Sequence, residues 1–130
     1  MRKVRPRRLK VYFDGGCRPN PGTIEVAVVA RGVAHFFDDI GTGTNTDAEW
    51  LALRMALQVA QSLDAAEFDL IGDSLEVVRL ANGASRPGSD SAAAHLARYE
   101  EAAAPRRPRQ VKWTPRRQNL AGIALARRNA

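Results

Sequence analysis

Three carboxylates in the 130-residue sequence stand where chemistry could be done. Asp14 closes a β-type run, Val11-Tyr12-Phe13, and is followed by Gly15, Gly16, Pro19, Asn20, Pro21 and Gly22, a dense set of turn formers. An acid at a strand end, facing a loop with little side-chain bulk, suits the close approach of a polyanion and its metal ions. Glu49 falls in the first turn of a long helical pattern, and Asp73 ends a later strand pattern. Taken singly, each acid has a purely structural explanation: Asp14 starts a turn, Glu49 completes a capping box, and Asp73 caps the next helix. Taken together, they occupy strand ends and a helix start, the places where ligand sites gather in sheets covered by helices. Three clustered carboxylates repel one another unless cations neutralise them. Oxygen donors with no His or Cys beside them point to Mg²⁺ or Mn²⁺.

The elements that must position these acids follow from the apolar pattern. Residues 9–14, 23–31 and 33–40 read as strands, with Gly32 marking a tight hairpin and 41–46 a loop. From 47 to 63 the period lengthens: Ala48, Leu51, Met55, Val59 and Leu63 recur at three- and four-residue steps, which predicts a helix opened by the capping box Thr46-Asp47-Ala48-Glu49. Residues 67–72 return to strand character. Ser74 then caps a short helix over 75–82 that Gly83 closes. An Ala-rich helix over 92–104 stops at Pro105, a last strand covers 110–113, and a final helix runs over 117–128. Three strands joined by short loops pair antiparallel, and strands reached through helices add in parallel. The expected fold is therefore α/β, a mixed sheet flanked by helices. If the first and fourth strands are parallel neighbours, Asp14 and Asp73 emerge side by side and the helix start brings Glu49 to the same edge.

The length suits one domain, read as 9–130, and hydrophobic residues at 45% suffice for a sizeable core. No apolar run is long enough to cross a membrane, and the basic N-terminus lacks the apolar stretch of a secretory signal. Cys17 is the only cysteine, which fits a reducing, cytoplasmic setting and excludes zinc sites built on several cysteines. The net charge of +6 is unevenly spread. Six basic residues lie in the first ten positions and eight more from 105 onward, while all 14 acids lie between them. Basic ends around an acidic middle suit a protein that grips phosphates and holds cations. For the arm 1–8 two readings stay open, a phosphate-gripping segment and a disordered, solvated tail. Arg106, Arg107 and Arg109 are further candidates for phosphate contact. Trp50 and Trp113 are expected in or near the core rather than as stacking platforms, and His95 as a packing or surface residue.

Four segments, in order, carry a resemblance: YFDGGCRPNPG (12–22), GTNTDAEWLAL (43–53), LIGDS (70–74) and WTPRRQN (113–119). The chain resembles the type 1 ribonuclease H (ribonuclease HI) family over its whole length apart from the basic arm. The resemblance implies the ribonuclease H fold with a five-stranded mixed sheet. It implies hydrolysis of the RNA strand of RNA/DNA hybrids with two Mg²⁺ ions, for which Mn²⁺ can substitute. Asp14, Glu49 and Asp73 match three of that family's four catalytic, metal-holding carboxylates. Cys17, Asn20 and Asn45 match positions where the family touches the RNA strand near its 2′-hydroxyls, the groups that separate RNA from DNA. The implied partner is an RNA/DNA hybrid, with no membrane and no protein partner, and the implied state is a monomer.

The fourth carboxylate is absent. Where the family pattern places Ala-Asp after the last strand, this chain has Gly122-Ile123, and no acid occurs anywhere from 102 to 130. An isoleucine cannot hold a cation. Three readings compete for Ile123: an active but slower enzyme with waters completing the metal shell, a non-catalytic nucleic-acid-binding domain, and a change without functional meaning. A fold-sharing interaction protein is a further rival, disfavoured by the retained carboxylates and the basic surface. Asn119 could stand in for the missing acid only through water.

Overall fold

The computed structural model describes residues 8–130; of the basic arm it therefore includes Arg8 alone. β1 (Leu9–Cys17), β2 (Gly22–Ala30) and β3 (Val33–Gly43) form an antiparallel meander. β4 (Phe68–Gly72) and β5 (Gln110–Trp113) add in parallel, giving the order β3-β2-β1-β4-β5. α1 (Asn45–Ser62) joins β3 to β4, and α2 (Leu75–Ala81) and α3 (Asp90–Ala103) lie between β4 and β5. A 3-10 turn (Arg116–Gln118) leads into α4 (Leu120–Arg128). The five-stranded mixed sheet expected from the sequence is the one observed.

Alternation along the strands assigns the two faces. Val11 and Phe13 of β1 and Ile24, Val26 and Val28 of β2 face the main core, which Trp50, Leu53 and Leu57 of α1 close. The residues between them, Tyr12, Ala27 and Val29, face the other way and pack against Ala121 and Leu125 of α4. Asp14 shares the parity of Tyr12, so it points to the α4 side. Gly15 shares that of Phe13 and lies under α1. A Cβ at Gly15 would collide with the carbonyl oxygen of Ala48. The missing side chain is what lets the start of α1 lie directly on β1. Gly15→Ala is expected to destabilise the protein by about 1–3 kcal/mol, because the obstacle is backbone and cannot swing aside. Urea unfolding measures this; an unchanged midpoint would mean that α1 shifts freely.

Several local expectations shift. β1 does not stop at Asp14. Gly15, Gly16 and Cys17 go on pairing with Val26, Glu25 and Ile24 of β2, and only the pairing with β4 ends early, at Tyr12 and Ile71. β3 runs on to Gly43, so little remains of the 41–46 loop. The capping box is Thr44 with Asp47: Asp47 N–H donates to Thr44 Oγ1 at 3.2 Å, and Thr44 N–H donates to Asp47 Oδ2 at 2.9 Å. Thr44 and Thr46 each have an acid three residues on, and Thr44 wins because β3 persists up to it. Glu49 thus lies in the second turn of α1, and its carboxylate has no capping duty. The last helix starts at Leu120 rather than 117, since residues 116–118 form the tighter 3-10 turn.

The basic residues near 105–109 are corrected more strongly. Arg109 Nε and Arg8 Nε lie 3.3 and 3.4 Å from Asp69, which is nearly fully buried. Arg107 pairs with Glu100 at 2.8 Å, and Arg106 lies over the Phe68 ring and donates to the Gln61 carbonyl. Phe68 and Asp69 begin β4, so Arg106 and Arg109 gather at the end of the parallel strands opposite Asp14 and Asp73. They brace that end of the sheet. The phosphate-gripping reading of residues 1–7 lies outside the described residues.

Candidate functional site

Register explains why two distant acids meet. The last parallel pair is Tyr12 with Ile71. Asp14 and Asp73 each lie two residues beyond it, so they emerge level with one another. α1, seated on Gly15, supplies the third: Gly15 N–H donates to Glu49 Oε1 at 3.3 Å. One carboxylate oxygen from each of Asp14, Glu49 and Asp73 lies within 4.8 Å of the others. Asp14 and Glu49 are buried and Asp73 is half-buried.

Such packing of like charges is held against strong electrostatic opposition. Burial pushes the Glu49 carboxyl far above the usual range, and the charges of Asp14 and Asp73 push it further. Asp14 is raised chiefly by burial, with Asp73 adding to it and Arg116 opposing. Asp14 Oδ1 and Glu49 Oε2 are buried without a hydrogen-bond partner. Two unsatisfied buried oxygens aimed into an all-oxygen cluster fit a hard divalent cation, which would neutralise the charge and occupy both.

Asn119 was underrated by sequence reasoning. It is fully buried, and its Nδ2 donates to Asp73 Oδ2 and to the Phe13 carbonyl, both at 2.9 Å. Its Oδ1 accepts from Ala121 N–H, capping α4. One side chain thus ties Asp73, the end of β1 and the start of α4 together, rather than standing in for a missing acid. The available signal was an Asn directly before a helical apolar pattern; its reach across the sheet had none.

Ile123 lines the same cleft, about 710 Å³, with Asp14, Glu49, Asp73, Gly122, Arg116 and Arg117. At Gly122 an added Cβ would lie 3.4 Å from Asp14 Oδ2, so this turn of α4 borders the cluster directly. Asn20, Asn45 and Cys17 form one network at the rim. Asn45 N–H donates to Asn20 Oδ1 at 3.1 Å, and Cys17 N–H donates to Asn45 Oδ1 at 3.0 Å. Each amide oxygen accepts one hydrogen bond within the loop, and the NH₂ ends are donors that a ligand could meet. Cys17 Sγ donates to the Gly43 carbonyl at 3.2 Å. His95 packs away from the cleft, stacked on Trp50 with Nε2 at 2.7 Å from Asp47 Oδ1. Trp50 is fully buried as expected, whereas Trp113 is 43% exposed.

A family model described as reverse transcriptase-like matches residues 13–129. Ribonuclease HI of Halobacterium salinarum is 40% identical over 82 residues, 59% of this chain. The chain belongs to the ribonuclease HI family.

The chain spans 41% of the length of that curated ribonuclease HI. The crystal structure of RNase H1 from H. salinarum superposes with a TM-score of 0.78 at 29% identity, covering 95% of this chain and all of that one. LC11-RNase H1 in complex with an RNA/DNA hybrid gives a TM-score of 0.73 at 25% identity, with 95% and 100% coverage. Within the ribonuclease HI family, the acidic cluster and its unsatisfied oxygens indicate use of a divalent metal. No helix among the described residues is long and apolar enough to cross a membrane.

The raised carboxyls set a pH dependence. In the metal-free protein the raised, interacting carboxyls of Asp14 and Glu49 retain, as a pair, protonation that the unfolded chain loses at roughly pH 4. The native state then binds more protons than the unfolded one, so this part of the stability falls as pH rises through and above that range. A divalent ion held by the cluster would take the place of those protons. The rise in Tm on adding Mg²⁺ is therefore expected to be larger at about pH 8 than at about pH 5. An equal rise at both would mean that the ion binds elsewhere.

Proposed function

We propose that this chain is a metal-dependent endoribonuclease that hydrolyses the RNA strand of RNA/DNA hybrids. The observation that carries the reading is the meeting of Asp14, Glu49 and Asp73, with two orphaned buried oxygens, in one arginine-rimmed cleft. Asp14, Glu49 and Asp73 would hold two Mg²⁺ ions, for which Mn²⁺ would substitute. Bound there, the ions supply a nucleophilic water and stabilise the leaving oxygen. The chain's own groups do the rest. Gly16, where an added Cβ would meet only Asn45 Oδ1 at 3.7 Å, would leave room for the backbone of the RNA strand. Asn20, Asn45 and the Cys17 segment would present polar groups to 2′-hydroxyls. Arg116 and Arg117 would offset phosphate charge at the mouth of the cleft. Water oxygen bonds to phosphorus and the P–O3′ bond breaks, leaving 5′-phosphate and 3′-hydroxyl ends.

Ile123 lowers the expected rate, because this position in the cleft offers no oxygen to the cations that Asp14, Glu49 and Asp73 would hold. The same residue favours a second reading, a domain that binds hybrids without cutting them. Incubating a labelled hybrid with the purified chain in Mg²⁺ and in Mn²⁺ separates the two. Metal-dependent shortening of the RNA strand supports the enzyme, and binding without shortening supports the second reading. The monomeric state and a cytoplasmic setting are part of the same proposal.

A further inference from the structure

Among the described residues, five large apolar side chains are left exposed: Val33, Phe36, Leu75, Trp113 and Leu120. Val33 opens β3 at the hairpin, and Phe36 lies under the Arg128 guanidinium, 4.5 Å from the ring centroid. The other three all stand next to groups attached to Asp73. Leu75 follows Asp73 by two positions. Trp113, paired with Gly72 at the end of the edge strand β5, donates its indole Nε1–H to the Asp73 carbonyl at 3.1 Å. Leu120 follows Asn119, whose side chain holds Asp73 Oδ2. Between Trp113 and Leu120 the chain passes through Arg116 and Arg117, both exposed and both lining the cleft.

An indole left 43% exposed beside a carboxylate cluster keeps a large aromatic surface open to solvent. Its one polar atom is already bonded to Asp73, so the ring is oriented and its aromatic surface is what it offers. Aromatic surface interleaved with arginines is how proteins hold single-stranded nucleic acid: bases stack and guanidinium groups take phosphates. Charge selects the occupant. From 102 to the end the chain carries no acid, and Lys112, Arg116 and Arg117 flank the indole in sequence, which suits a polyanion rather than an apolar peptide.

We propose that Trp113 is a stacking platform for an unpaired nucleobase beside the cleft, with Arg116 and Arg117 taking the adjoining phosphates. The inference rests on the nucleic-acid reading above and deepens it: the preferred substrate is a hybrid that continues into a single strand.

Trp113 and Trp50 are the two tryptophans, and Trp50 is fully buried, so stacking is read directly in the emission of Trp113. In an Asp14→Asn background with Mg²⁺, which stops cleavage, the chain is titrated with a blunt RNA/DNA hybrid and with the same hybrid carrying a short single-stranded extension at either end. The extended hybrid is expected to quench the emission more strongly and to bind more tightly. Trp113→Ala should reduce the ratio of extended to blunt affinity by about tenfold, and Trp113→Phe should restore most of it. If Phe behaves like Ala, the indole serves only to hold the Asp73 carbonyl, and the platform is overturned. It is also overturned if blunt hybrid binds while the extension adds neither affinity nor quenching, which would leave the rim to a protein partner. Should Trp113→Ala fail to fold, the quenching and the Phe variant still decide. If neither hybrid binds, the proposed function fails first and takes this inference with it.

Discussion

Asp73→Asn is expected to give a folded protein whose hybrid cleavage is lower by about a thousandfold or more. Asn is isosteric with Asp, and its side-chain carbonyl can still accept the Asn119 Nδ2–H that Asp73 Oδ2 now accepts at 2.9 Å. The anchor between the end of β4 and α4 is therefore kept. What is lost is one negative charge from a three-carboxylate cluster. Removing it relieves repulsion on the buried Asp14 and Glu49, so the metal-free protein should unfold at the same or a higher temperature. On the proposed reading, the same loss would weaken the hold on a cation that contributes several kcal/mol to the transition state, and each 1.36 kcal/mol is a factor of about ten in rate. Gel analysis of RNA cleavage and thermal unfolding without metal measure the two halves. Full activity with unchanged metal dependence would remove Asp73 from the site. Lost activity together with a lower Tm would make it a structural residue.

Ile123→Asp is the converse experiment, with gain of function as its expected result. The position lines the cleft one residue from Gly122, where a Cβ would stand 3.4 Å from Asp14 Oδ2. On the proposed reading, a carboxylate there would add a fourth acidic side chain to the three that would hold the cation. Cleavage is expected to rise by about tenfold or more, which corresponds to little more than 1 kcal/mol of transition-state stabilisation. A fourth like charge should lower Tm in a metal-free buffer, and Mg²⁺ should recover more than it does for the parent chain. Cleavage that appears only in the variant would establish an intact scaffold that binds without cutting. No change in either rate or Mg²⁺-dependent Tm would mean that this turn of α4 does not face the ion.

What was legible in the sequence is what depends on local pattern and on residue type. The strand and helix periods gave the element order, and short loops against helical crossovers gave the antiparallel and parallel parts of the sheet. The acids were found because Asp14, Glu49 and Asp73 stand at element boundaries, and the lack of an acid at 123 was legible because it is a matter of composition alone. Boundaries were legible less well, since they depend on neighbours. β1 continues past Asp14 only because β2 offers Val26, Glu25 and Ile24 to pair with residues 15–17. The capping box moved to Thr44 because β3 holds the chain extended up to that point.

The remainder was decided by tertiary structure, for reasons that no window of sequence contains. Asn119 reaches Asp73 and Phe13 across sequence separations of 46 and 106 residues, and only the closed sheet brings them together. Arg109 looked like part of a phosphate-binding block, but the shared register of β4 and β5 sets it beside the buried Asp69 at the far end. Trp113 looked like a core residue by type. It is 43% exposed, at the end of the edge strand β5. Residue type and period are properties of the chain; which side chains share a cleft, and which face water, follow from strand order and register, and these exist only once the sheet has closed.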